Sequence, residues 1–110
     1  MSTEAFVGIA RSVNGVTIRL TAKRWQHIVE SHNDMAGHYF DILTTVGEPE
    51  RVLGGDGGEL IAVREHSPGK YFVVMYREVS KEDGFVITAF LTRRVRQLER
   101  RRVLWRRTSP

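Results

Sequence analysis

Two stretches of this chain, residues 71–76 and 85–91, are apolar at nearly every position rather than at alternate ones. A strand with one face in water alternates apolar and polar residues, whereas a run apolar on both faces needs cover on both. These segments therefore mark the middle of a sheet with material on either side. In the second, alternation puts Phe85, Ile87, Ala89 and Leu91 on one face and Val86, Thr88 and Phe90 on the other. Thr88 then sits between two large apolar side chains, where its hydroxyl suits a local hydrogen bond as well as a functional role.

The remaining elements follow from local signals. Val7-Gly8-Ile9-Ala10 and Val16-Thr17-Ile18-Arg19-Leu20 flank Asn14-Gly15, the pattern of a two-residue hairpin. Thr21 offers an N-cap for a helix over about 22–31, with Trp25, Ile28 and Val29 on one face. A second helix over 38–46 carries Tyr39, Ile42, Leu43 and Val46 as its apolar stripe and ends before Pro49, which disfavours helical geometry at Glu48. Strands are expected at 51–53, 59–64, 70–79 and 85–91, between turn signals at 54–58, 67–69 and 80–84. Residues 93–102 favour helix, and Val103-Leu104-Trp105 reads as a short strand or anchor. At 110 residues the chain makes one domain, 1–110. The expected class is α+β: two N-terminal helices packed on an about four-stranded antiparallel sheet, preceded by a β-hairpin and followed by a basic C-terminal helix or arm.

Charge is concentrated in that arm. Residues 93–107 hold Arg93, Arg94, Arg96, Arg100, Arg101, Arg102, Arg106 and Arg107 against Glu99 alone, a local charge of +7 in a chain of net +4, so the rest carries −3. An all-arginine segment suits bidentate contacts with phosphates, and equally with an acidic protein. Its other reading is a solvated, frayed end. No apolar run approaches the roughly 20 residues that span a bilayer, so no membrane partner is expected. Met1 to Ala5 show no basic and apolar leader pattern, and the absence of cysteine excludes disulfides and thiolate metal sites. A cytoplasmic protein is the simplest expectation.

The titratable groups narrow the chemistry. Of four histidines, His27 lies beside Arg24 and Ser31 on a regular helix, about 140° from His32, which falls on the core stripe. A helix ending near Ser31 would free His32 from that constraint. His38 reads as part of a helix start and His66 as a loop residue. His27 and His32 are five apart, not the i, i+4 pair of a helical metal site, so neither a metal nor any other cofactor is expected. The glycine run 54–58 lacks the lysine and helix of a phosphate loop, and no Gly-x-Ser-x-Gly occurs. What remains is an acid/base pair, cations and a hydroxyl. RNA cleavage fits that inventory, because the substrate's own 2′-OH is the nucleophile. Tyr71, Tyr76 or Phe90 could stack an unpaired base, worth roughly 1–3 kcal/mol.

Three blocks in order, Leu20-Thr21-x-x-Arg24-Trp25-x-His27-Ile28-x-x-x-His32, Ile42-Leu43-x-Thr45-Val46-x-x-Pro49-x-x-Val52 and Asp83-Gly84-Phe85-Val86-Ile87-Thr88-Ala89-Phe90-x-Thr92, resemble the phage and mobile-element nucleases of the PBECR type. These belong to the barnase–EndoU–colicin–RelE (BECR) fold class. The resemblance covers about residues 17–105; where many members have proline after the second histidine, this chain has Asn33. It implies two helices followed by a curved four-stranded antiparallel sheet, and a metal-independent ribonuclease of toxin or effector type. By position it puts active-site roles on His27, His32 and Thr88, with Arg24 and Arg93 as supporting cations.

The resulting expectation is an endoribonuclease that cleaves single-stranded RNA or tRNA to a 2′,3′-cyclic phosphate. His27 would be general base, His32 acid or orienting group, Arg24 and Arg93 stabilisers of the phosphorane, and Thr88 would position the phosphate. RNA contacts would come from Tyr76, Arg94, Arg96, Arg100 and Arg101. Two alternatives stand on the same fold: a non-catalytic nucleic-acid-binding module, and a toxin-like domain whose arm meets an acidic antitoxin or immunity protein.

Overall fold

The computed structural model describes residues 6–108; Met1 to Ala5, read above for a leader, lie outside them. Seven strands form one sheet: β1 (Phe6–Arg11), β2 (Thr17–Thr21), β3 (Arg51–Gly54), β4 (Leu60–Ser67), β5 (Lys70–Glu78), β6 (Gly84–Thr92) and β7 (Val103–Arg106). Their order across it is β1-β2-β6-β5-β4-β3-β7. Among the described residues three helices accompany them, α1 (Ala22–Ser31), α2 (Tyr39–Gly47) and α3 (Val95–Glu99), with a 3-10 turn at Asn33–Met35. No helix among the described residues is long and apolar enough to cross a membrane.

This corrects the expectation of two helices on about four antiparallel strands. The β1–β2 hairpin does not merely precede the sheet. β2 joins β6 in parallel through Ile18↔Gly84 and Arg19↔Phe85, so the sheet is mixed. Bidentate contacts from Arg19 Nε and Nη2 to the two oxygens of Asp83, each 2.8 Å, fasten that junction. At the other side the basic arm is neither one long helix nor a frayed end. Its helical part is only α3, and residues 103–106 return as β7, antiparallel to β3. Arg107 secures this return by donating to the carbonyls of Glu48 and Pro49. Long-range pairings of this kind leave no period in the sequence, which is why a sheet of about four strands was expected and one of seven forms among the described residues.

The hairpin turn differs too. Ser12 and Val16 bond across it (2.8 Å), Gly15 N–H donates to Ser12 O (2.8 Å), and Gly15 has φ +80°. That is a three-residue connection with the last residue left-handed, a conformation glycine adopts without penalty.

The core lies on both faces of the sheet, as the doubly apolar strands require. α1 and α2 deliver Ile28, Ile42 and Val46, with Met35 between them, onto Ile18, Leu20, Phe72, Val74, Tyr76, Val86 and Ala89. On the opposite face Leu53, Ile61, Val63 and Val73 lie under Leu98 of α3, flanked by Phe90 and Met75. Strict alternation fails once in β6. Met75 pairs with Thr88 but Tyr76 with Val86, so Ile87 is a bulge. Val86 thereby shares the helix-covered face with Ala89, and Thr88 stays with Phe90 on the other.

Candidate functional site

Thr21 accepts a hydrogen bond from the Arg24 amide (3.1 Å) and starts α1 as a side-chain cap. The helix stops at Ser31. His32 is its C-cap, with φ −137° and ψ 83°, its N–H still bonded to Ile28 O at 2.7 Å. Released from helical geometry, the His32 ring lies 5.6 Å from the Phe90 ring of β6. His27 stays on the exposed side of α1, on an open surface of that helix shared with Lys23, Arg24, Gln26 and Glu30. Arg24 also lines a neighbouring depression with Arg19, Thr21, Phe85 and Val86. The first helix thus carries its two histidines into different surroundings: His27 among polar side chains, His32 against the sheet.

Thr88 is half-buried beside Met75, two residues before Phe90. Arg93 is exposed immediately after β6, and its guanidinium reaches the β4–β5 turn at Gly69. Arg94, Arg96 and Arg100 are exposed and Arg101 half-exposed. Arg94 and Arg101 rim a groove floored by Ile61, Val73, Met75, Phe90 and Leu98, while Arg100 to Arg102 face the glycine turn, where Arg101 meets Asp56 at 3.2 Å. Tyr76 must be withdrawn from the RNA contacts. It is 0% exposed on the helix-covered face, because its partner strands β4 and β6 flank it and both helices cap that side. A ring so enclosed cannot stack a base.

A further group of titratable side chains is one to which sequence reasoning gave no role. His38, at the start of α2, shares a hydrogen bond between Nδ1 and Asp41 Oδ2 at 2.9 Å. Arg64 of β4 donates from Nη2 to Asp41 Oδ1 at 2.9 Å and from Nε to Thr45 Oγ1 at 3.2 Å. The guanidinium also covers the Phe72 ring at 5.0 Å. His66 sits where β4 gains an extra residue, between the pairs Glu65↔Tyr71 and Ser67↔Lys70. Its ring is 5.1 Å from Phe72 and 5.7 Å from His38, and His38 is 5.2 Å from Phe72. Burial pushes the Asp41 carboxyl up, but the hydrogen bonds and charges of His38 and Arg64 outweigh it and hold the group below the usual carboxylate range. The local signals existed in sequence, His38-x-x-Asp41 at a helix start and Arg64-x-His66 on a strand. Only the fold brings them to one ring.

Phe72 pairs with Leu91 in the β5–β6 ladder, and Val73 with Phe90. His38 and His66 thus meet over Phe72 on the helix-covered face, whereas Phe90, against which His32 rests, belongs to the opposite one. Both rings lie towards the end of the sheet where β6 runs into Arg93. No family model, curated protein or solved structure matches this chain.

Proposed function

We propose that this protein is a metal-independent ribonuclease of the BECR type that its motifs resemble, acting on RNA in the cytoplasm. The observation that supports the reading is the run of β6 from Phe90, on which His32 rests, into exposed Arg93 and Arg94. An imidazole for proton transfer and guanidiniums for a phosphate thus share one strand end. Cleavage would proceed by attack of the 2′-oxygen on phosphorus. The 2′-OH proton passes to a base, the P–O5′ bond breaks, and the leaving oxygen takes a proton from an acid. The resemblance gives these roles to His27 and His32, with Arg24, Arg93 and Thr88 around the phosphate. An acidic antitoxin would compete for the arginine face.

Labelled tRNA and a mixed single-stranded pool, incubated in EDTA, test this. Fragments ending in 2′,3′-cyclic phosphate, lost in His27→Ala and His32→Ala, are the expected result; equal cleavage by both variants removes these two histidines from the mechanism. The groove floored by Phe90 and Leu98 and rimmed by Arg94 and Arg101 favours a second reading, a non-catalytic RNA-binding module. A salt-dependent mobility shift without cleavage is its signature.

A further inference from the structure

We propose that His38 and His66 form a second phosphate subsite, which seats a backbone phosphate of the RNA strand next to the one at Arg93. The inference rests on the ribonucleic-acid reading above and extends it to residues that the motifs do not include.

Four observations carry it. The two imidazoles come from different elements, the start of α2 and a bulge in β4, yet meet edge to face 5.7 Å apart over one aromatic ring. Bulges of this kind re-aim a side chain. His66 is exposed and His38 part-exposed, so the pair is open to a ligand. The groups beneath them are already committed: Asp41 takes both the His38 Nδ1 contact and Arg64, and Arg64 also holds Thr45. Asp41 therefore orients His38 by its Nδ1 edge and leaves Nε2 for an incoming oxygen, while its own charge is met by Arg64. Finally, a cation links the two places: the Arg93 guanidinium, at the end of β6, lies by Gly69 in the β4–β5 turn, three residues beyond His66.

A phosphate here would accept hydrogen bonds from His38 Nε2 and His66, with Arg64 and Lys70 as nearby cations. The acidic groups around it are Asp41, already paired, Glu65, the preceding residue on β4, and Glu50, whose carboxylate accepts from the Glu65 amide at 2.7 Å. No bond is made or broken at this subsite. His38 and His66 are positioning residues for the strand, and Asp41 and Arg64 position His38.

The test follows the ring 15N signals of all four histidines in the full chain. One probe is a 2′-O-methyl tetranucleotide, which lacks the nucleophile; the other is a nucleoside 3′-monophosphate. Movement of His38 and His66 with the tetranucleotide is expected, and response to the monophosphate as well means that a terminal phosphate is also accepted. His66→Asn, exposed and so tolerated by the fold, should weaken tetranucleotide binding roughly tenfold or more, as loss of a charge-assisted hydrogen bond does. In RNA cleavage the same variant should raise KM more than it lowers kcat. If the probe moves His27 or His32 but neither His38 nor His66, or if His66→Asn binds as the wild type does, the subsite is refuted. Response at His38 and His66 in a protein that cleaves no RNA keeps the subsite and removes the nuclease.

Discussion

Tyr76 combines two features that make a sharp thermodynamic prediction. It is the largest side chain enclosed by the core, 0% exposed, and its hydroxyl has no hydrogen-bond partner among the described residues. An unpaired buried hydroxyl costs about 1–3 kcal/mol in desolvation. Tyr76→Phe removes that cost and forfeits only the few contacts of one oxygen, about 0.1–0.2 kcal/mol each. The variant should be more stable by about 1 kcal/mol, which raises Tm by about 4–8 °C in a domain near this size. Alkali gives a second reading. Burial, with the Glu78 charge adding to it, pushes the phenol well above its ordinary value of 10.0. The unfolded chain then releases the proton near that ordinary value while the folded chain keeps it, so stability falls as pH rises above about 10. The variant lacks this contribution to the alkaline limb. Urea melts at pH 7 and at about pH 11 measure both effects. A variant about 1 kcal/mol less stable than wild type at pH 7 would show that the hydroxyl is satisfied, and an unchanged alkaline limb would show that the phenol is not shielded from water; either result refutes the argument.

Leu98→Ala should cost about 2–3 kcal/mol, as Leu98 is the buried anchor of α3 and a five-residue helix has little stability of its own. The urea midpoint reads the loss, and a parallel fall in RNA affinity would tie α3 to binding. Gly84→Ala places a methyl group against the Arg77 carbonyl and Ile18 Cδ1, at the start of β6, where Gly84 and Phe85 pair with both β2 and β5. Displacing β6 there should cost about 1–3 kcal/mol by thermal melting, and no change in Tm would contradict the close approach. Asp41→Asn tests the acid side. The carboxyl is held below its ordinary value of 3.8 in the fold, so its contribution is full above that value and disappears as pH falls through the lower folded one. Solvent screening keeps it to about 0.5 kcal/mol. The gap between wild type and variant in urea melts should therefore close only well below pH 4.

What the sequence made legible was what a few neighbouring residues decide. Thr21 caps α1 by bonding an amide three residues on, and the expected bounds 22–31 are those found. The doubly apolar segments are the third and fourth strands of the sheet, covered on both faces. Pairing across the chain was not legible. β2 meets β6 over a separation of about sixty residues, and nothing in Ile18 or Gly84 alone announces the partner. The bulge at Ile87 reassigned Val86 to the opposite face, because one extra residue reverses every later side chain. The same limit hid the histidine pair. His38 and His66 each looked unremarkable in their own segment, and Phe72 joins them only after β4 and β5 pair.

The outer flank of β7 has a practical consequence for work on the arginines. Among the described residues β7 pairs with β3 alone and ends the sheet, and it carries Val103 at 42% and Leu104 at 48% exposure. A terminal strand with exposed apolar residues invites a second chain to add to it, and charge is what discourages this. Arg102, Arg106 and Arg107 bracket those two residues and serve as that guard. Neutralising the segment to probe its affinity would therefore also make the protein self-associate, and lost binding would be mistaken for lost contacts. Lysine replacements keep the repulsion while removing the bidentate fork, so they separate adhesion to RNA from protection against aggregation.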